Sequence, residues 1–215
     1  LLGVLGALLG FGLLMLYSSS YILAMERGGD GLFYIRRQVA FVLLGLLAAV
    51  LGSQIPEARW RSWAIPGFRI GLFLLIWAWI PGLGAHVGGA NRWFRLGGLQ
   101  VQPGELLKVT FLAFVVRQLV CKPGRVTPVL VGVLPAAFLL LLQPDFGTAT
   151  LLTFTAGVML YVGGLPRAKV LGVFSVAVAT LGVLALVKPY RVARLVGFWN
   201  PWGDPIGSGF QVIQS

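Results

Sequence analysis

Three polar side chains, Gln102, Glu105 and Lys108, stand three residues apart at the head of an otherwise apolar stretch. On a helix of 3.6 residues per turn, that spacing puts neighbours in the series about 60° apart, on one side. A second segment, Gln143-Pro144-Asp145, interrupts another apolar run, and Gly147 and Thr148 follow it closely. Even the gentler insertion scale charges roughly 2.5–3.5 kcal/mol for an ionised group at the centre of a membrane helix. Each of these charges is therefore expected to face a protein interior or a wet cavity. Lys108 can be neutralised by Asp145 or by Glu105. Ionisable groups placed inside a membrane mark a functional site by default. The plainer alternative is a structural ion pair between helices, worth little once desolvation is counted.

The elements that must carry these residues follow from composition. The chain has 215 residues, 58% hydrophobic and 11% charged, whereas a soluble domain carries roughly 25% charged residues. Apolar runs near the bilayer-crossing length of about 20 residues recur along the sequence with short polar punctuation. The expected fold is all-α, a polytopic transmembrane bundle of about seven spans. They fall near residues 1–24, 33–51, 65–80 and 102–119, then a fifth to 142, a sixth to 162, and a seventh over 170–187. Pro103 suits a first helical turn, where its missing N–H has no partner to lose. Residues 81–101 read as a long Gly-rich connection. Residues 188–215 read as a polar, aromatic tail, and the sequence is expected to be cut at both ends.

The net charge of +11, 17 Lys+Arg against 6 Asp+Glu, points to anionic headgroups or an anionic substrate. Nucleic acid is excluded as a partner, because the basic residues are spread one to three per loop rather than gathered on one face. The loops on the two sides are about equally basic, so charge alone does not orient the chain. Most of these cations sit at span ends and reach headgroups by snorkelling; Arg92 and Arg191 are the two best placed for a pyrophosphate. The seven tryptophans fall near span ends, as an interfacial belt requires. One cysteine, Cys121, permits no intrachain disulfide. His86 has no nearby Cys, His or carboxylate in its loop, so no metal site is expected.

The motifs themselves then point to a family. The run Gly89-Ala90-Asn91-Arg92-Trp93-Phe94 and, after it, Gln102-Pro103-Gly104-Glu105-Leu106-Leu107-Lys108 resembles the SEDS signature of a Gly-x-x-Arg-Trp loop before Gln-Pro-[Ser/Ala]-Glu-x-x-Lys. Gly104 is the one departure. Gln143-Pro144-Asp145-Phe146-Gly147-Thr148 is similar to the family's Gln-Pro-Asp-Leu-Gly-Thr, and Phe198-Trp199-Asn200-Pro201-Trp202 resembles the FtsW branch more than RodA. The chain is thus similar to the front two-thirds of a SEDS peptidoglycan glycosyltransferase.

That resemblance implies a ten-span enzyme that polymerises lipid II into glycan strands during septal cell-wall synthesis. It would sit in the bacterial cytoplasmic membrane at the division septum, partnered with a class B penicillin-binding protein and other division proteins. Residues 1–187 would form spans one to seven, and residues 188–215 the start of the large extracytoplasmic loop. Glu105, Lys108 and Asp145, with Gln102, match the family's central-cavity positions; Arg92 and Arg191 match basic residues near the lipid-substrate path. The family's catalytic Asp belongs to a Pro-Glu-x-His-Thr-Asp segment that does not occur in this sequence, so no catalytic residue is expected here. No cofactor is evident, and a divalent cation is left open. A lipid II flippase or transporter draws on the same ingredients, and a RodA-type elongation polymerase is the other alternative.

Overall fold

The structure, a computed structural model, describes residues 2–28, 30–80, 84–87, 90–96, 99–187, 197 and 200–203. Within them the chain forms α1 (Leu2–Gly28), α2 (Phe33–Ser53), α3 (Glu57–Trp79), β1 (Ala85–Val87), β2 (Ala90–Leu96), β3 (Leu99–Val101), α4 (Pro103–Cys121), α5 (Thr127–Leu142), α6 (Phe146–Val162) and α7 (Arg167–Val187). Helices are what such apolar runs must form, since a helix satisfies its own backbone polar groups where no water is available. Among the described residues, four helices can cross a membrane by length and composition, lying in α1, α2, α3 and α7. The apolar helices α5 and α6 are shorter, at 16 and 17 residues. The 19-residue α4 is interrupted by Glu105, Lys108 and Arg117.

The described residues divide into two compact units, Leu1–Arg59 and Trp60–Ser215. In the first, α1 and α2 form a hairpin. Asp30 fixes its turn by accepting from the Leu32 N–H at 3.0 Å and pairing with Arg36 at 3.3 Å. No residue of α2 is buried.

The second unit holds the core. It runs through α3, α4, α5 and α6 to the start of α7, with Leu75, Leu107, Phe111, Val115, Val129 and Leu140 fully buried. Close fit carries this packing, because in lipid no hydrophobic effect draws helices together. Phe68 of α3 stacks on Phe114 of α4 with ring centroids 4.5 Å apart. Phe114 in turn lies against Gly132 of α5, where a Cβ would collide with its ring. At one end of the unit, Leu119 of α4 approaches Gly163 just after α6. At the other end, the last turns of α3 and α5 meet the first turns of α4 and α6.

Two expectations are corrected. Helix α3 begins at Glu57 and continues through Pro66, eight residues before the expected start at Ile65. Its polar and aromatic opening, Glu57 to Ala64, is helical although it is not apolar. The stretch 81–101 is not a structureless connection: β1, β2 and β3 pair as an antiparallel ribbon in the order β1-β2-β3. The registers pair Val87 with Ala90 and Leu96 with Leu99, and the two residues between are Gly-Gly in each case. Such a dipeptide between short β-forming runs is a hairpin signal. The ribbon reaches the end of α3 through an edge-to-face contact of Phe94 with Trp77, centroids 6.0 Å apart.

Candidate functional site

The polar residues gather at the ribbon end of the second unit. Gln102 caps α4 in an extended conformation, Pro103 occupies the first turn, and Glu105 lies in the first turn too. An acidic group there gains from the positive end of the helix dipole. One turn further, Lys108 Nζ pairs with Glu105 Oε2 at 2.8 Å. The Lys108 side chain is 29% exposed and that of Glu105 60% exposed, so the pair lies at a wet edge, where such a contact contributes at most about 1 kcal/mol.

Asp145 is built differently. It caps α6: Oδ1 accepts from the Thr148 N–H at 3.2 Å, and Oδ2 accepts from the Thr148 hydroxyl at 2.9 Å. A carboxylate at this position satisfies an N–H that the helix leaves unpaired, worth about 1 kcal/mol. From α4, Gln102 Nε2 donates to Asp145 Oδ2 at 3.4 Å. Gly104 faces this contact with room to spare: a Cβ there would stand 3.6 Å from Gln102 Nε2 and 3.9 Å from Asp145 Oδ2, ordinary contact distances. Of the two pairings open to Lys108, the structure therefore shows the one with Glu105, while Asp145 is held by Gln102 and Thr148.

Gln143 supports the turn from below. Its side chain is buried and its Nε2 donates to the Leu75 carbonyl of α3. Its own N–H bonds the Leu139 and Leu140 carbonyls at the end of α5. In the sequence, Gln143-Pro144-Asp145 marks the interruption of an apolar run, and the bond from Gln143 to α3 has no signal there; Thr148, three residues after Asp145, has the spacing of a capping partner.

The remaining site residues are less fully placed. Arg92 lies on β2 beside Trp93. Arg191 lies outside the described residues. Among the described residues, no three His, Cys, Asp or Glu side chains gather as a metal-binding cluster. What the arrangement offers chemically is a cation and a hydrogen-bonded carboxylate on two neighbouring helix starts, tied together by Gln102.

Comparison with known proteins converges on one family. The model of the cell cycle protein family FtsW/RodA/SpoVE matches residues 1–215. The chain is 36% identical, over 97% of its length, to a probable peptidoglycan glycosyltransferase FtsW of Trichlorobacter lovleyi, and it spans 57% of that relative. Among solved structures, it is similar to a chain described under "Structural coordination of polymerization and crosslinking by a peptidoglycan synthase complex". The TM-score there is 0.69 at 34% identity, over 95% of this chain and 63% of that one. The rod shape determining protein RodA of Thermus thermophilus follows with a TM-score of 0.62 at 32% identity, over 83% of this chain and 58% of that one. The chain thus spans a little over half the length of the curated relatives it matches, 57% and 58% for two of them.

Proposed function

Because this chain belongs to the FtsW/RodA/SpoVE family of cell cycle proteins and is a multi-pass α-helical membrane protein, we propose that the whole protein is a peptidoglycan glycosyltransferase. It polymerises lipid II into glycan strands during septal cell-wall synthesis. Its place is the bacterial cytoplasmic membrane at the division septum, beside a class B penicillin-binding protein and other division proteins. Residues 1–187 supply its first seven membrane helices, and residues 188–215 open its extracytoplasmic loop.

The observation that carries this reading is the meeting of the α4 start with the α5–α6 turn. Gln102, Glu105, Lys108 and Asp145 come to one end of the helices, beside the ribbon that bears Arg92. Glycan polymerisation breaks a sugar–phosphate bond, and the departing group is a polyprenyl pyrophosphate. Lys108, with Arg92 and Arg191, stabilises the negative charge growing on that group, a contribution available only where the cation is already in place. Glu105 directs Lys108 through their ion pair, and Gln102 and Thr148 hold the Asp145 carboxylate at the neighbouring helix start. The proton of the attacking sugar hydroxyl passes to a carboxylate of the Pro-Glu-x-His-Thr-Asp segment expected further along the extracytoplasmic loop. Residues of this chain thus bind and stabilise, and take no proton.

The test is glycan synthesis from purified full-length protein and lipid II, with and without the penicillin-binding protein. Polymer that lengthens with time, and is lost on neutralising Asp145, supports the proposal. Movement of lipid II across a vesicle membrane with no polymer formed would replace it with the flippase reading. The same assay with chelator added decides whether a divalent cation takes part.

A further inference from the structure

We infer that Gln143 is a positioning residue for Asp145: its side chain fastens the α5–α6 turn to α3 and thereby sets where the Asp145 carboxylate stands against α4. The role rests on the reading of Asp145 proposed above.

Gln143 is 3% exposed, the one polar side chain among the described residues that reaches full burial. An amide is placed there at a cost unless it is hydrogen-bonded. The bond it makes is to the backbone of a helix 68 positions away in sequence: Nε2 donates to the carbonyl of Leu75, itself fully buried. Residue 143 is thereby held twice, by α5 through its own N–H and by α3 through its side chain. Asp145 comes two residues later, and its N–H bonds the Leu140 carbonyl at 2.9 Å. The turn thus hangs from the end of α5, and Gln143 fixes the direction in which it hangs. On the far side of the turn, the carboxylate meets Gln102 and Gly104 of α4. An apolar side chain of equal volume would fill the space, yet it would leave the turn free to shift, since dispersion contacts have no preferred direction and a hydrogen bond does. A small misplacement of a charged group near a reacting centre has a large effect on rate.

The experiment uses the full-length protein. Gln143→Met keeps the length and approximate volume but removes the donor; Gln143→Leu is the second variant should the first fold poorly. One arm reads position without activity. With Cys121→Ser, the pair Gly104→Cys and Asp145→Cys places two thiols across the contact where a residue-104 Cβ stands 3.9 Å from Asp145 Oδ2. Gln143→Met is expected to slow disulfide formation by about tenfold, and an unchanged rate overturns the inference. The other arm reads glycan synthesis. Gln143→Met should lower kcat by about tenfold with KM nearly unchanged, and it should add nothing in an Asp145→Asn background. Losses that multiply in the double variant overturn the coupling. Wild-type synthesis by Asp145→Asn alone overturns the reading of Asp145, while the cross-linking arm still decides the role of Gln143 in holding the turn.

Discussion

The chain contains two segments of nearly the same wording, Gln102-Pro103-Gly104-Glu105 and Gln143-Pro144-Asp145, and the structure puts them to opposite uses. Gln102 stands before a helix and turns its side chain outward across a gap to Asp145. Gln143 stands after one and turns inward to the backbone of α3. Pro103 is fully buried in the first turn of α4, whereas Pro144 is exposed. The acids differ as well: Glu105 leans on Lys108 at a wet edge, and Asp145 is bonded from two helices. The lesson is that a short polar motif acquires its task from the side of the helix end on which it falls. A residue at a helix start faces unpaired donors, while one at a helix end is directed by the carbonyls behind it.

The largest test of that contrast is Asp145→Asn. Asparagine caps a helix as well as aspartate, so stability should be nearly kept while glycan synthesis by the full-length protein falls by about a hundredfold, the scale of a lost electrostatic group. The matching change Glu105→Gln should cost less, because its carboxylate is more exposed; equal losses would erase the distinction between the two acids.

Next in size is the pair of glutamines. Gln143→Leu removes a buried bond to the Leu75 carbonyl of α3 and should lower unfolding stability by about 1–1.5 kcal/mol. Gln102→Leu breaks a partly exposed bond and should cost about 1 kcal/mol or less. Denaturant titration of both variants in detergent measures the difference, and a reversed order would refute the assignment of roles. Lys108→Gln, removing a half-exposed pair, should change stability by less than about 1 kcal/mol, read from the same titration, while weakening synthesis. The smallest effect expected is Gly104→Ala: the added Cβ has ordinary contact room beside Gln102 and Asp145. Better helix propensity should then stabilise α4 by roughly 0.5–1 kcal/mol at most, visible as a small rise in melting temperature.

Much of the fold was legible in the residues. Helix α2 was expected over 33–51 and runs Phe33–Ser53; α5 and α6 end at Leu142 and Val162 as expected. Apolar runs bounded by Pro, Gly and charge leave little choice when the backbone must satisfy itself. Helix α3 was misread because Pro66 and the mixed residues before it look like a loop, and only packing against α4 reveals a continuing helix. The ribbon has a signal in the two Gly-Gly pairs: Gly88-Gly89 and Gly97-Gly98 bracket a seven-residue run that includes Trp93 and Phe94. The site was legible in its membership more than in its wiring. Glu105 and Asp145 were equal candidates for Lys108, and the i,i+3 neighbour took it because a shared helix already holds the two close. The burial of Gln143 had no signal, since nothing in Gln-Pro-acid says which glutamine meets another helix.

The shortness of α5 and α6 has a consequence for the lipid around them. At 16 and 17 residues, they rise only about 24–26 Å, against a hydrocarbon layer of about 30 Å. Local thinning of the bilayer by a few ångströms, at a fraction of a kcal/mol for each, is one way to match them. Thinning on the side of the α5–α6 turn would bring headgroups and their water nearer to Asp145, so that a charged group at the membrane surface would have less far to descend to it.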